Sequence, residues 1–500
     1  MLDKIKSLGA DTAVYGVSTI IGRFLNFLLV PLYTNVLTTS QYGIVATVYS
    51  YIAFMNIIYI YGMESAYFKY ASTKEIGSDK QIFSTPFFSI LATSLILSTF
   101  IFLNSIKLSA LVEVPLQYED TVKYSAIILL LDSLTIIPFA ALRLQRKVKK
   151  FATIKLVNIV INVSANVILL LKYHAGVEGI FISGVIASAI TLVLLIPEIL
   201  GKITLAFGDK ISRHNILPLY SALLKFGLPY IPAGLAAMMV QVIDRPILLA
   251  MTNESTVGIY QANYRLGIFM MLVVSMYDYA WRPFFLTHAN DSDAKQLFAK
   301  ILTYFTLLSS VLILLISLYI GDLVRFRVFG RFVINPAYWS GLGIVPIVLI
   351  GYLFNGIFVN LMAGIYIEKK TGHLPYITGI GAAINILTNI LLIPVLGMFG
   401  AAWATLFAYA GMALAIFVVS QKYYPVKYEL GRLFKIGIAI TATLIIFSLR
   451  DSIIPMAYEQ LFKISDLGLF FIILVVLGFP KYQESKYLAK VLSLRKPRKA

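Results

Sequence analysis

The chain contains no cysteine, so disulfide frameworks, thiolate metal sites and cysteine nucleophiles are excluded at the outset. Histidine is almost as scarce, with four in 500 residues. They stand at 174, 214, 288 and 373, none paired at metal-ligand spacing, which removes a zinc site from consideration. Charge is the third shortage. Only 13% of the residues are charged, against roughly a quarter in an ordinary soluble domain. No stretch is long and polar enough to form even one water-soluble domain. In their place stand hydrophobic residues, 59% of the chain, and water is therefore not its main solvent.

A hydrocarbon core ~30 Å thick takes about 20 apolar residues of helix. Runs of that kind, separated by Gly, Pro or charge, predict an all-α polytopic membrane protein with about fourteen transmembrane helices. Their spans are 12–36, 44–68, 84–105, 122–142, 151–172, 177–200, 220–251, 258–283, 297–321, 341–367, 375–396, 399–421, 433–449 and 465–480. The first follows two lysines but runs to about Asn35 without a small-residue cleavage site, so it reads as a retained helix. One set of alternate loops collects roughly three-quarters of the 42 Lys and Arg, and the positive-inside rule makes that side the cytoplasm. Its strongest markers are Arg143, Arg146, Lys147, Lys149 and Lys150 and the tail from Arg495 to Lys499. The expectation is a cell (inner) membrane protein with both termini cytoplasmic. Arg325, Arg327 and Arg331 form one discordant outer loop. The net charge of +18 is explained by topology and by attraction to anionic lipids. It is too dispersed among membrane loops to suggest a nucleic-acid partner.

FLLVPLYTNVLTTSQYGI at 27–44 aligns without gaps on VIDRPILLAMTNESTVGI at 242–259, placing Pro31 on Pro246, Ser40 on Ser255 and Gly43 on Gly258. NVSANVILL at 162–170 likewise resembles NILTNILLI at 385–393. Corresponding elements lie six spans apart, so the repeats are parallel and related by an axis along the membrane normal. The predicted organisation is an N-terminal lobe over 1–210, a C-terminal lobe over 211–425, and a final helix pair with a basic tail over 426–500. Two such lobes enclose a cavity and rock for alternating access.

Charges inside spans are costly, roughly 2.5–3.5 kcal/mol at a helix centre, and face protein or a watery cavity. Arg23, in mid-span, shares a helical face with Asn26 and Tyr33. Arg245 follows Asp244 in the seventh span, and Gln261 and Arg265 share a face of the eighth. Guanidinium forks suit phosphate oxygens, so Arg23, Asn26, Arg245, Gln261 and Arg265 are candidates for binding an anionic headgroup. Neutralisation of Arg245 by Asp244 is the competing account. Asp132, the mid-span carboxylate of the first lobe, is a counter-charge for Arg23 or a site for a coupling proton or Na⁺, as is Asp244. Glu64 and Asp278, near the cytoplasmic ends of their helices, suit gate or packing salt bridges with Lys69 and Arg282. Pro31 and Pro246 are candidate hinges. The asparagines at 158, 162, 166, 385 and 389 are explained by interhelical hydrogen bonding. No cofactor is called for.

GRFLNFLLVPLYTNVLTTSQYGIVATVYSY, followed by GMESAYFKY, resembles the polysaccharide flippases of the multidrug/oligosaccharidyl-lipid/polysaccharide exporter superfamily, the Wzx-type branch for O-antigen and capsule repeat units. The likeness spans nearly the whole chain, and twelve helices in two lobes plus two more match that branch. It implies a non-enzymatic transporter that flips undecaprenyl-pyrophosphate-linked oligosaccharide between leaflets, with membrane lipids and the polysaccharide polymerase machinery as partners. It also places Arg23 and Arg265 in a cationic cavity and gives the last two helices a lipid-tail groove. Between Gly43 and Lys69 there is no arginine, a departure from the lipid II branch that favours a polysaccharide unit over a peptidoglycan precursor. Two rivals remain. An ion-coupled drug exporter on the same scaffold would want an acidic cavity, and a membrane glycan polymerase or ligase would want paired carboxylates in its outer loops.

Overall fold

The computed structural model describes residues 22, 24, 25, 27–203, 210–451 and 459–479, with side chains omitted at 210–216, 450, 451 and 459. Arg23 and Asn26 therefore lie outside the described residues. Within them, eleven helices are long and apolar enough to cross a membrane, or twelve when one bent pair counts as a single span. The two remaining predicted spans are represented by α1 (Leu29–Val36) and by the last helix, Glu459–Val476, which carries Glu459, Lys463 and Asp466. The protein is an all-helical, multi-pass membrane protein.

Helices α2 (Thr39–Ile60), α3 (Met63–Thr73), α4 (Asp79–Leu103), α5 (Ser105–Leu111), α6 (Glu119–Leu144), α7 (Val148–Leu171) and α8 (Gly176–Leu200) follow α1. Apart from α2, whose main neighbour is α12 of the second half, they pack mainly on one another as the first lobe, with α6 and α8 at its centre. Next come α9 (Lys210–Gly227), α10 (Tyr230–Val242), α11 (Asp244–Met251), α12 (Glu254–Leu266), α13 (Ile268–Thr287) and α14 (Ala294–Arg325). After them run α15 (Ile344–Ile367), α16 (Leu374–Leu396), α17 (Met398–Tyr423), α18 (Leu430–Asp451) and α19 (Glu459–Val476). Helices α15, α16 and α17 form the heart of the second lobe, and α18 and α19 pack on each other and on α14. A buried Lys463 pairs with Asp322 at 2.7 Å, and Thr303 donates to Glu429 at 2.9 Å, so polar contacts fix the last helix pair to α14 at two levels.

Where the sequence suggested single spans, three are broken. The second is interrupted between α2 and α3 at Tyr61 and Gly62, both with positive φ; Gly62 also lies so close to Gly227 that a Cβ there would sit 2.1 Å from its carbonyl oxygen. The seventh is divided into α9, α10 and α11. Pro229 precedes α10, and Pro246 lies four residues beyond Val242, the last residue of α10; a proline ring clashes with the carbonyl four residues earlier, so the helix stops there. The eighth bends by 45° between α12 and α13, at Gly267. Helix α9 belongs to the second lobe by repeat, yet it packs on α3 and α4 of the first, burying Leu219 and Leu223 among first-lobe residues.

The aligned segments meet in space. Thr38 caps α2 and Asn253, its counterpart, caps α12, each accepting from the backbone N–H three residues on. The two helices then cross at Gly43 and Gly258. A Cβ on Gly43 would lie 1.8 Å from the Glu254 carbonyl oxygen, and one on Gly258 would lie 1.9 Å from that of Thr39. The contact is reciprocal about a pseudo-twofold axis, and a 2.7 Å hydrogen bond joins Thr39 to Ser255 beside it. The later asparagines repeat as well: Asn166 donates to the Asn162 backbone and side-chain oxygens at 2.8 and 3.2 Å, and Asn389 does the same to Asn385 at 2.8 and 2.9 Å.

Candidate substrate cavity

The Gly43–Gly258 crossing holds α2 and α12 in backbone contact near their first turns. A short hairpin of β1 (Arg327–Val328) and β2 (Arg331–Phe332) from the second lobe reinforces it. Asn35 of α1 donates to the Phe332 carbonyl at 2.8 Å, Tyr338 donates to the Leu37 carbonyl at 3.1 Å, and Asn263 of α12 donates to the Tyr338 carbonyl at 2.8 Å. Beside this crossing a cavity of about 440 Å³ lies mainly within the first lobe, lined from α1, α2, α6, α7 and α8 and reached from α12 by Gln261 and Arg265. A second cavity of about 290 Å³ lies in the second lobe, and Arg265 lines it too.

Arg265 is exposed, and among the described residues it has no carboxylate partner. Arg245 is its opposite, although it borders the second cavity. Its side chain is 6% exposed and paired with Asp244, which also accepts from the Tyr260 hydroxyl. Its Nε donates to Gln261 Oε1 at 3.1 Å and its Nη1 to the Gln241 carbonyl at 2.7 Å as well as to Asp244, while the centre of the Tyr264 ring lies 4.2 Å from the guanidinium carbon. A buried guanidinium requires such charge neutralisation and hydrogen bonding. Asp244, Arg245, Tyr260 and Gln261 thus form one network tying α11 to α12.

Asp132 faces the first cavity, where it accepts from Ser188. Its cationic neighbour is Lys155 of α7, whose ammonium lies 4.3 Å from the centre of the Phe139 ring. Sequence reasoning passed over Lys155 because it stands near the start of a span, where a lysine ordinarily reaches for headgroups. Its spacing could have revealed it: Lys155, Asn158 and Asn162 share one face of α7, and all three line the cavity. Asn158 also bridges to α8, donating to the Ala187 carbonyl at 3.1 Å and Thr191 at 2.8 Å, so packing and cavity lining coincide there. Tyr33, on the cavity wall, donates to Asn166 at 2.9 Å.

Away from the cavity, Asp278 pairs with Arg282 at 2.7 Å as expected from their i,i+4 spacing. The expected partner of Glu64 is corrected: it pairs with Arg143 of α6, whereas Lys69 lies over the Phe226 ring. Neighbouring turns along one helix suggested Lys69, but the packing of α6 on α3 brings the arginine closer. Pro31 lies within α1, its carbonyl accepting from Asn35 at 2.8 Å, and Pro246 lies in the first turn of α11.

Several solved transporters share this architecture. The lipid II flippase MurJ in an inward closed conformation superposes with a TM-score of 0.67 at 16% identity, covering 94% of this chain and 98% of that one. A multidrug resistance MATE family transporter of the MOP superfamily, inward-facing, gives 0.60 at 12% identity over 80% and 94%. A MOP superfamily transporter from Pyrococcus furiosus, described by a reversed polarity of its binding pocket, gives 0.57 at 12% over 83% and 95%. At these identities the likeness establishes the fold. No curated protein matches the chain. The family model described as polysaccharide biosynthesis protein matches residues 8–288, more than half of the sequence, and the chain therefore belongs to the polysaccharide biosynthesis protein family.

Proposed function

We propose that this protein is a flippase that carries undecaprenyl-pyrophosphate-linked oligosaccharide units from the inner to the outer leaflet of the cell membrane for surface polysaccharide synthesis. The observation that carries this reading is Arg265, an arginine without a carboxylate partner among the described residues, at the junction of two cavities in a membrane interior. That guanidinium has no paired carboxylate among the described residues, and a pyrophosphate offers paired oxygens to its fork. Arg23 and Asn26 are assigned to the same headgroup from the sequence alone. Arg245 and Gln261 contribute as the network that bounds the second cavity, with Asp244 as its counter-charge. Family membership and the MurJ-like fold support a transporter of lipid-linked material. The seal across Gly43 and Gly258 represents a state closed at the outer face, with the basic loops and both termini cytoplasmic. Asp132 is the proposed site for H⁺ or Na⁺ coupling, no other cofactor is needed, and the polymerase that consumes the flipped unit is the proposed partner. An exporter of organic cations requires excess carboxylate, whereas among the described residues Asp132 is the one carboxylate on these two cavity walls, with Lys155 as its cationic neighbour.

Complementation of a strain deleted for its own flippase tests the reading. Surface polysaccharide is expected to return with the wild-type chain and to be lost with Arg265→Glu or Arg23→Glu at equal membrane abundance. Rescue that survives Arg265→Glu overturns the assignment of the binding site.

A further inference from the structure

The wall of the first cavity opposite Arg265 has a composition that a pyrophosphate does not need. A diphosphate wants cations and N–H donors, and a carboxylate beside it is repulsive. Yet Asp132 stands on this wall, close to Lys155, so its charge is locally balanced. The amides around them are divided in polarity. Both Asn158 hydrogens are engaged by Ala187 and Thr191, which leaves its carbonyl oxygen as the acceptor edge. Asn162 is the reverse: its carbonyl is held by Asn166, leaving its amide hydrogens. Alternating donors and acceptors with little net charge suit groups that both donate and accept, which is what sugar hydroxyls do.

The repeat supplies a second, independent observation. In the other lobe Asn385 and Asn389 keep the same internal hydrogen bonds, but both are fully buried. The asparagine pair therefore recurs in a buried helix contact, where Asn385 Nδ2 and Asn389 Oδ1 have no hydrogen-bond partner among the described residues, whereas in the first lobe the same face opens to a cavity that adds Asp132 and Lys155.

Resting on the flippase reading above, we infer that the α6–α7–α8 wall is a glycan subsite: Asp132, Lys155, Asn158 and Asn162 hydrogen-bond the uncharged sugar next to the pyrophosphate, while Arg265 holds the pyrophosphate itself. The α6–α7–α8 wall of the first lobe reads the sugar, while Arg265 of the second lobe, with Arg23 and Asn26, grips the anion. A cavity of about 440 Å³ falls in the range of ~300–1,000 Å³ that encloses small ligands.

The test uses purified full-length protein and two kinds of probe of equal charge, the methyl ester of undecaprenyl pyrophosphate and a panel of the same carrier bearing one neutral hexose or N-acetylhexosamine. Wild-type protein is expected to bind at least one sugar-bearing probe about tenfold more tightly than the methyl ester, a difference equivalent to ~1.4 kcal/mol. Lys155→Met, which keeps the stem packed on Phe139, and Asn162→Ala are each expected to remove that advantage while leaving methyl-ester binding intact, which also shows that the variants are folded. Arg265→Gln is expected to weaken both kinds of probe. Equal binding of all probes by the wild type, or Lys155→Met and Asn162→Ala weakening all probes alike, overturns the subsite and leaves the flippase reading standing. Failure of the wild type to bind any of them overturns both.

Discussion

Adding one methyl group at Gly258 is expected to open the sealed end of the molecule. The ideal Cβ of Gly258→Ala lies 1.9 Å from the Thr39 carbonyl oxygen and 2.9 Å from the Gly43 nitrogen, and both are backbone atoms that no rotamer can move. Carbon–oxygen contacts between helices settle at 3.3–3.6 Å, so α2 and α12 must separate by about 1.5 Å. That displacement breaks the 2.7 Å Thr39–Ser255 hydrogen bond. Overpacking of this kind costs ~1–3 kcal/mol, and because it falls only on the closed arrangement it shifts the closed–open equilibrium by roughly 5–150-fold. The absence of native cysteine makes the assay direct. Ile136→Cys places one thiol on the cavity wall, and a membrane-impermeant maleimide added from the outer face reports its accessibility. Labelling is expected to accelerate at least fivefold in Gly258→Ala and further when Gly43→Ala is added. Unchanged labelling at unchanged protein abundance would show that the crossing is not the seal.

Three other outcomes follow from the contacts. Asp244→Asn leaves Arg245 buried without its carboxylate and is expected to lower stability by ~3–5 kcal/mol, seen as a large fall in melting temperature of the purified protein; Asp244→Asn combined with Arg245→Gln is expected to recover part of it. Tyr338→Phe removes one hydrogen bond to the Leu37 carbonyl, worth about 1 kcal/mol, and should raise Ile136→Cys labelling less than Gly258→Ala does. Glu64→Gln breaks a half-exposed pair with Arg143 and should change melting by the equivalent of ~1 kcal/mol or less, so a large loss of transport at normal stability would assign Glu64 to the gate.

Much of the architecture is legible in the sequence because membrane insertion acts on local properties. A run of apolar residues long enough to span must be a helix, since no water remains to satisfy its backbone. The same logic carries the repeat: the serine and glycine of PLYTNVLTTSQYG and RPILLAMTNESTVG are short-range features, and the matched Gly43 and Gly258 meet at the crossing. Breaks were less visible. Pro246 marked one of them in the sequence, but the 45° bend at Gly267 carries no proline.

Among the charges, sequence hydropathy put Arg245, Arg265, Asp132 and Asp244 inside predicted spans, which already selected them as candidates. It did not determine which were spent on one another. The sequence offers Asp244 as a neighbour of Arg245 without deciding whether they pair; in the structure Asp244 and Tyr260 close around Arg245 while Arg265 faces two cavities. Glu64 met Arg143 rather than Lys69, and Lys155 turned from an ordinary helix-end lysine into part of the cavity wall. The physical reason is range. Hydropathy and helical period act over a few turns of one helix, whereas Coulomb attraction and hydrogen bonding depend on distances between helices that only their packing fixes.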